Sequence, residues 1–207
     1  MRVYRLPKIL RFVYPGASFN VPGVAKTLYL TFDDGPTPGI TDYILDLLES
    51  RGVKSTFFVS GVNVSENYEL FNMLSLRGHS IGNHGYLHIN GFRQNKKSYM
   101  ENVDKGAEIS GSGIFRPPYG KITPAQYRSV RKKYHVVFWS LIPYDFDTSL
   151  SPDHILDTLK RGIRPGSIIV LHDNKKSRSP EILDEFIHYS LAAGYNFDTL
   201  ENLNPIR

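Results

Sequence analysis

Seven apolar, β-branched or aromatic runs recur along the chain, and helix-length amphipathic stretches separate most of them. The runs are Thr27–Phe32, Ser55–Ser60, His79–Asn83, Ile114–Arg116, His135–Ser140, Ser167–Leu171 and Asn196–Leu200. Short apolar runs bounded by turn residues read as buried strands. Between them, Ile40–Arg51, Ser65–Arg77, Tyr99–Ile109, Pro124–Lys133, Pro152–Gly162 and Pro180–Ala193 read as amphipathic helices. Gly52 and Gly78 follow the first two as stops, and proline opens several of the others. Strands that alternate with helices pair in parallel through crossovers, in a barrel or a doubly wound sheet. At 207 residues and 41% hydrophobic content, the chain suits one well-buried domain.

Residues 1–25 stand apart, read as a strap or short helix lying on a domain of residues 26–207. Arg2, Arg5, Lys8 and Arg11 interrupt every apolar stretch there, so no secretory h-region forms and a cytoplasmic location is expected. The uncharged run Phe12–Ala25 holds Pro15, Gly16, Pro22 and Gly23 and is no spanning helix. A basic membrane-surface helix is the less favoured alternative, because Pro7 falls inside it. The net charge is +5, and the clusters Arg128/Arg131/Lys132/Lys133 and Lys175/Lys176/Arg178 read as solvated faces. No aromatic stripe interleaves them, so no nucleic-acid partner is expected. With no cysteine, thiolate chemistry is excluded and any transition metal falls to histidine and carboxylate ligands.

Ionisable residues stand where apolar runs end: Asp33-Asp34-Gly35, His84, Arg116 and His172-Asp173. In parallel α/β folds the C-terminal strand ends share one face, and that face carries the active site. Convergence from four strand ends fits a barrel better than an open sheet. Read singly, each group keeps a plain alternative. Asp-Asp-Gly-Pro is ordinary turn chemistry, and neighbouring carboxylates on an extended strand point to opposite sides. His84 and His88 are four apart, a spacing that lets a helical turn present both to one ion. Arg116 in Arg116-Pro117-Pro118-Tyr119-Gly120 suits a surface salt bridge as well as a fixed carboxylate clamp. His172 suits a core histidine or a group titrating near neutrality.

Taken in order, Thr31-Phe32-Asp33-Asp34-Gly35-Pro36, Gly78-His79-Ser80-Ile81-Gly82-Asn83-His84 with His88, Arg116-Pro117-Pro118-Tyr119-Gly120 and Gly166-Ser167-Ile168-Ile169-Val170-Leu171-His172-Asp173 resemble the polysaccharide deacetylases, carbohydrate esterases that remove acetyl groups from glycans. The resemblance covers residues 27 to about 200 and implies a distorted, incomplete (β/α)7 barrel of parallel strands. It implies Asp34, His84 and His88 as ligands of a divalent metal, zinc foremost, with cobalt, nickel and iron as alternatives. It also implies Asp33 as general base oriented by Arg116, the Tyr119 amide at the oxyanion, and His172 as general acid. Trp139, Phe146 and Val170 would line the substrate pocket, and the partner would be an acetylated glycan or oligosaccharide.

Two departures from the family pattern bear on activity. Gly85 follows His84 where the family has Ser or Thr. In the fourth motif Ile142 replaces a leading aspartate, which in relatives tunes the catalytic histidine, and Phe146 stands for a tryptophan. Either Asp145 or Asp147 then reaches His172 from a shifted position, or His172 is less basic and catalysis slower. Lys175, Lys176 and Arg178 follow His172 and are expected at the rim, favouring an anionic substrate. The alternatives are a same-site hydrolase of a small non-sugar amide or imide, and a glycan binder with impaired catalysis. An aspartyl phosphotransferase built on Asp33 and Asp34 would leave both histidines without a role.

Overall fold

The computed structural model describes residues 2–203. Seven strands form one parallel sheet: β1 (Thr27–Asp34), β2 (Thr56–Val59), β3 (Ser80–Asn83), β4 (Ile114–Phe115), β5 (His135–Val136), β6 (Ile168–His172) and β7 (Asn196–Phe197). Their order is β5-β4-β3-β2-β1-β6, with β7 beside the start of β1. The helices are α1 (Leu10–Val13), α2 (Thr41–Ser50), α3 (Gly61–Glu66), α4 (Tyr68–Leu76), α5 (Lys96–Ser110), α6 (Pro124–Val130), α7 (Pro152–Gly162) and α8 (Ser179–Ala192).

The period of two along each strand separates two cores. Leu28, Leu30 and Phe32 of β1 join Phe57, Val59, Ile169 and Leu171 in a cluster shared with α2, α7 and α8. Tyr29, by contrast, joins Phe58, Ile168, Val170, Phe138 and Trp139 in the second cluster, inside the curl of the sheet. Thr31 and Asp33 follow Tyr29 at the same period, so the inner face of β1 turns polar toward its C-terminal end.

The curl does not close as a ladder. β5 is a two-residue strand, shorter than the expected His135–Ser140, because the amides beyond Val137 go elsewhere. Phe138 N–H donates to Ser18 O, and Ser140 N–H and Leu141 N–H both donate to Ile168 O. Isolated bridges Ser18↔Val137, Asn20↔Ser167 and Leu141↔Ile169 fill the seam between β5 and β6. The N-terminal strap is thus wedged into one end of the seam, and a barrel that is distorted and incomplete results.

Two local expectations are corrected. The stretch Ser65–Arg77 is not one helix, since Asn67 (φ −135°, ψ 50°) separates α3 from α4. His84 to His88 is not a helical turn either. Gly85 adopts φ +81°, which ends β3 in a loop. That loop packs tightly against α5, where a Cβ on Gly106 would meet the Gly85 backbone at 2.6 Å.

Candidate active site

Arg116 anchors the site. It follows β4 directly, is fully buried, and reaches across the inner face to β1. Its Nη1 donates to Thr31 Oγ1 at 2.7 Å and to Asp33 Oδ1 at 2.6 Å, two residues that share a face because they are two apart. Nη2 donates to Phe138 O at 3.3 Å, and the guanidinium lies 3.9 Å from the centroid of the Phe58 ring. A surface salt bridge is therefore excluded for Arg116. Burial presses its pKa down, opposed by Asp33, and the hydrogen-bonded carboxylate keeps the buried charge compensated.

Asp33 and Asp34 do not diverge as they would on an extended strand. Asp34 sits at φ +87°, and its carboxylate turns toward His84, which Asp33 also faces, and toward His88. Asp34 Oδ1 lies 3.1 Å from His88 Nε2 and 3.6 Å from His84 Nε2, while Asp33 Oδ2 lies 3.9 Å from His84 Nε2. Asn174 Nδ2 donates to Asp34 Oδ2 at 2.6 Å, and Asn63 Nδ2 holds the Asp34 backbone carbonyl at 2.8 Å. Burial works against ionisation of Asp34, yet His88, His172 and His84 hold its carboxyl well below the usual range.

The three groups fit a divalent metal. Asp34 Oδ1 is buried without a hydrogen bond, and one ligand atom from each of Asp34, His84 and His88 falls within 4.8 Å of the others. His84 donates from Nδ1 to Arg116 O at 2.8 Å, which fixes its tautomer and leaves Nε2 as the lone-pair atom facing Asp34. Burial lowers His84 to about 4, so it is neutral as a ligand must be. Borderline nitrogen and carboxylate donors suit zinc and its first-row neighbours.

On the opposite side His172 ends β6 with its ring partly exposed. Its Nδ1 lies 2.9 Å from Asp145 Oδ1, and its backbone N–H donates to Asp145 Oδ2 at 2.8 Å. Ser177 and Ser179 hydroxyls donate to the same Oδ2 at 2.6 and 2.9 Å. Burial would depress His172, but Asp145 outweighs it and raises the imidazole to about 9. The partner of His172 is thus Asp145, three residues after Ile142, and the missing aspartate at 142 does not deprive the ring of its carboxylate. Asp147 plays no part, since it pairs with Arg2 at 2.6 Å.

The remaining residues frame this centre. Tyr119 adopts φ +59° and its exposed ring lies 4.4 Å from the His88 ring. The Phe146 and His172 rings meet edge to face, their centroids 4.8 Å apart. Trp139 packs against Gly120, where a Cβ would meet the indole at 2.5 Å. Val170 lies deeper, 1% exposed. Lys175 and Lys176 are exposed, whereas Arg178 is turned to Glu181 at 3.2 Å. Asp173, unassigned from the sequence, accepts from the Gly35 amide and the Thr41 hydroxyl and braces the loop after Asp34. A Cβ on Gly35 would collide with that carboxylate.

Known proteins resemble this chain in sequence and in fold. A family model described as polysaccharide deacetylase matches residues 20–139. A peptidoglycan-N-acetylglucosamine deacetylase of Bacillus cereus is 32% identical over 196 residues, covering 90% of this chain and 71% of the relative. The peptidoglycan-N-acetylmuramic acid deacetylase PdaA of Bacillus subtilis is 30% identical, covering 86% and 71%. Among solved structures, the Bc1960 peptidoglycan N-acetylglucosamine deacetylase superposes with a TM-score of 0.88 at 30% identity, covering 96% of each chain.

Proposed function

The chain belongs to the polysaccharide deacetylase family, and we propose that its substrates within that family are the N-acetylated sugars of peptidoglycan. It is a metal-dependent hydrolase that removes acetyl groups from glycans. The peptidoglycan assignment draws its support from the relatives that match over most of both chains. The observation that carries the chemistry is the pairing of two differently held groups across one metal-binding triad. Asp33 is clamped by Arg116 on one side, and His172 by Asp145 on the other.

Asp34, His84 and His88 would hold the ion, zinc in this proposal. When bound, such a metal polarises a carbonyl and acidifies water. Asp33, held in place by the buried guanidinium, takes the proton of the attacking water as its oxygen bonds to the acetyl carbon. The Tyr119 amide, held in a loop where the Gly120 and Lys121 N–H groups turn back onto Pro117 and Pro118, donates to the developing oxyanion. His172, protonated by virtue of Asp145, gives its Nε2 proton to the sugar nitrogen as the carbon–nitrogen bond breaks, so that a neutral amine and acetate leave. Phe146 and Trp139 shape the opening beside the acid, and Val170 backs it from the buried layer. Lys175 and Lys176 would favour substrates carrying a carboxylate, as a muramyl unit does.

The test is acetate release from peptidoglycan fragments, chitooligosaccharides, acetylated xylan and an aryl acetate, after chelation and with zinc restored. Zinc-dependent release that is fastest on peptidoglycan fragments and lost in Asp33→Asn is expected. Faster turnover of the other glycans would refute the substrate, and silence on all of them in metal-loaded protein would refute the activity. Unchanged KM for an anionic fragment in Lys175→Ala/Lys176→Ala would remove the role given to that pair.

A further inference from the structure

Neither the fold nor the site uses the outer face of α1. Leu6, Leu10 and Tyr14, four apart, turn inward and pack on the inner core. Pro7 sits in the turn before the helix, its carbonyl accepting from the Leu10 N–H, and so does not interrupt it. The adjoining outer sector presents Ile9, Phe12 and Val13, which are 63%, 81% and 40% exposed. At about 100° per residue these three cover one continuous sector, with Lys8 at one edge and Arg11 beyond it, hydrogen-bonded to Asn20 at 2.6 Å.

Further cations adjoin it. The end of α6 lies against the segment that leaves α1, with the Tyr14 and Tyr127 rings 5.0 Å apart and the Tyr127 hydroxyl donating to Pro15 O. Here a recess of about 330 Å³ is lined by Gly16, Tyr127, Arg131, Lys132, Lys133 and His135. Among the described residues, Lys133 is paired with Asp104, while Lys8, Arg11, Arg128, Arg131 and Lys132 form no ion pair.

We propose that this face docks on an anionic phospholipid bilayer, with Ile9, Phe12 and Val13 entering the headgroup boundary and the basic recess receiving headgroup phosphate. An apolar sector bordered by cations is the composition of a helix that lies in a membrane interface. Juxtaposed lysines and arginines strengthen binding to anionic lipid. A second copy seated face to face would set the unopposed cations against each other. No helix among the described residues is long and apolar enough to cross a membrane, so the attachment is peripheral. This proposal does not depend on the identity of the glycan.

The test is co-sedimentation of the whole chain with phosphatidylcholine vesicles, with and without phosphatidylglycerol, at low and physiological salt. Binding to the anionic vesicles alone, weakening as salt rises, is expected. Ile9→Ser/Phe12→Ser should lower the partition about tenfold or more, and Lys8→Glu or Arg131→Glu about fivefold each. These side chains face away from both core and site, so the melting temperature and turnover of a soluble oligosaccharide should stay at wild-type values. Absence of binding to anionic vesicles overturns the proposal, as does binding that survives the Ile9/Phe12 pair. Self-association that the same pair abolishes, without vesicle binding, would assign the face to a second copy and overturn it too.

Discussion

Asp145 grips His172 twice, through Oδ1 on the ring at 2.9 Å and through Oδ2 on the backbone N–H at 2.8 Å. The carboxylate thereby fixes where the imidazole stands as well as how readily it holds a proton. With His172 raised to about 9, a reaction that needs it as acid should run undiminished at neutral pH and fall away above about 9. The same shift stabilises the fold in full below the ordinary value of 6.5, and that contribution disappears as pH rises through about 9. In Asp145→Asn the burial remains while the charge is gone, so the alkaline limb should move to below neutrality. Turnover at pH 7 should drop by about a hundredfold or more. A pH–rate profile beside a histidine NMR titration reads both.

Arg116 has no water to fall back on. Removing its side chain leaves Asp33 as an unpaired buried charge, and Arg116→Met should destabilise the fold by about 3–5 kcal/mol. Arg116→Lys should recover little, because one ammonium cannot reach Thr31, Asp33 and Phe138 O from a single planar fork. Urea unfolding of the three proteins distinguishes these outcomes.

His79 sets an acid limit on stability. Its Nδ1 accepts from the Ser55 N–H at 3.2 Å, which demands a neutral ring, and burial lowers its pKa to about 4. Unfolding frees the ring to protonate near its ordinary 6.5. Stability is thus unaffected above that value and declines as pH falls from there toward 4, by at most about 3 kcal/mol. Denaturant midpoints of wild type and His79→Asn between pH 4 and 7 should converge at the acid end.

Gly85 follows His84, the first of the two histidines that face Asp34. Here the residue sits at φ +81°, and a Cβ would meet Asn102 Nδ2 at 2.6 Å. Gly85→Ser should therefore lower stability by about 1–3 kcal/mol and loosen the spacing of His84 and His88. Calorimetry together with zinc affinity by competition checks both effects.

The parallel strands and the polar groups at their ends were legible because burial and periodicity write themselves into short runs such as Leu28–Phe32 and Ile168–Leu171. That Asp34, His84 and His88 come together was likewise legible, since histidine and carboxylate donors stand out at the ends of apolar runs. The form of their loop was not, because a four-residue spacing serves a helix and a glycine-kinked turn alike. The brace of Ser177 and Ser179 on Asp145 gave no signal, as hydroxyl residues abound in every loop. The truncation of β5 depended on the strap, a partner more than a hundred residues away in sequence.

The seam between β5 and β6 leaves the acid and its carboxylate on the same side. Asp33, Asp34, His84 and Arg116 stand at the ends of the ladder from β1 to β4. Asp145, by contrast, is fastened to β6 and the loop after it. Leu141 pairs with Ile169, the His172 N–H and the Ser177 and Ser179 hydroxyls donate to the Asp145 carboxylate, and the Arg178 N–H donates to its carbonyl. A fluctuation that parts β5 from β6 would therefore carry Asp145 along with His172, and the imidazole would keep its partner while the sheet breathes.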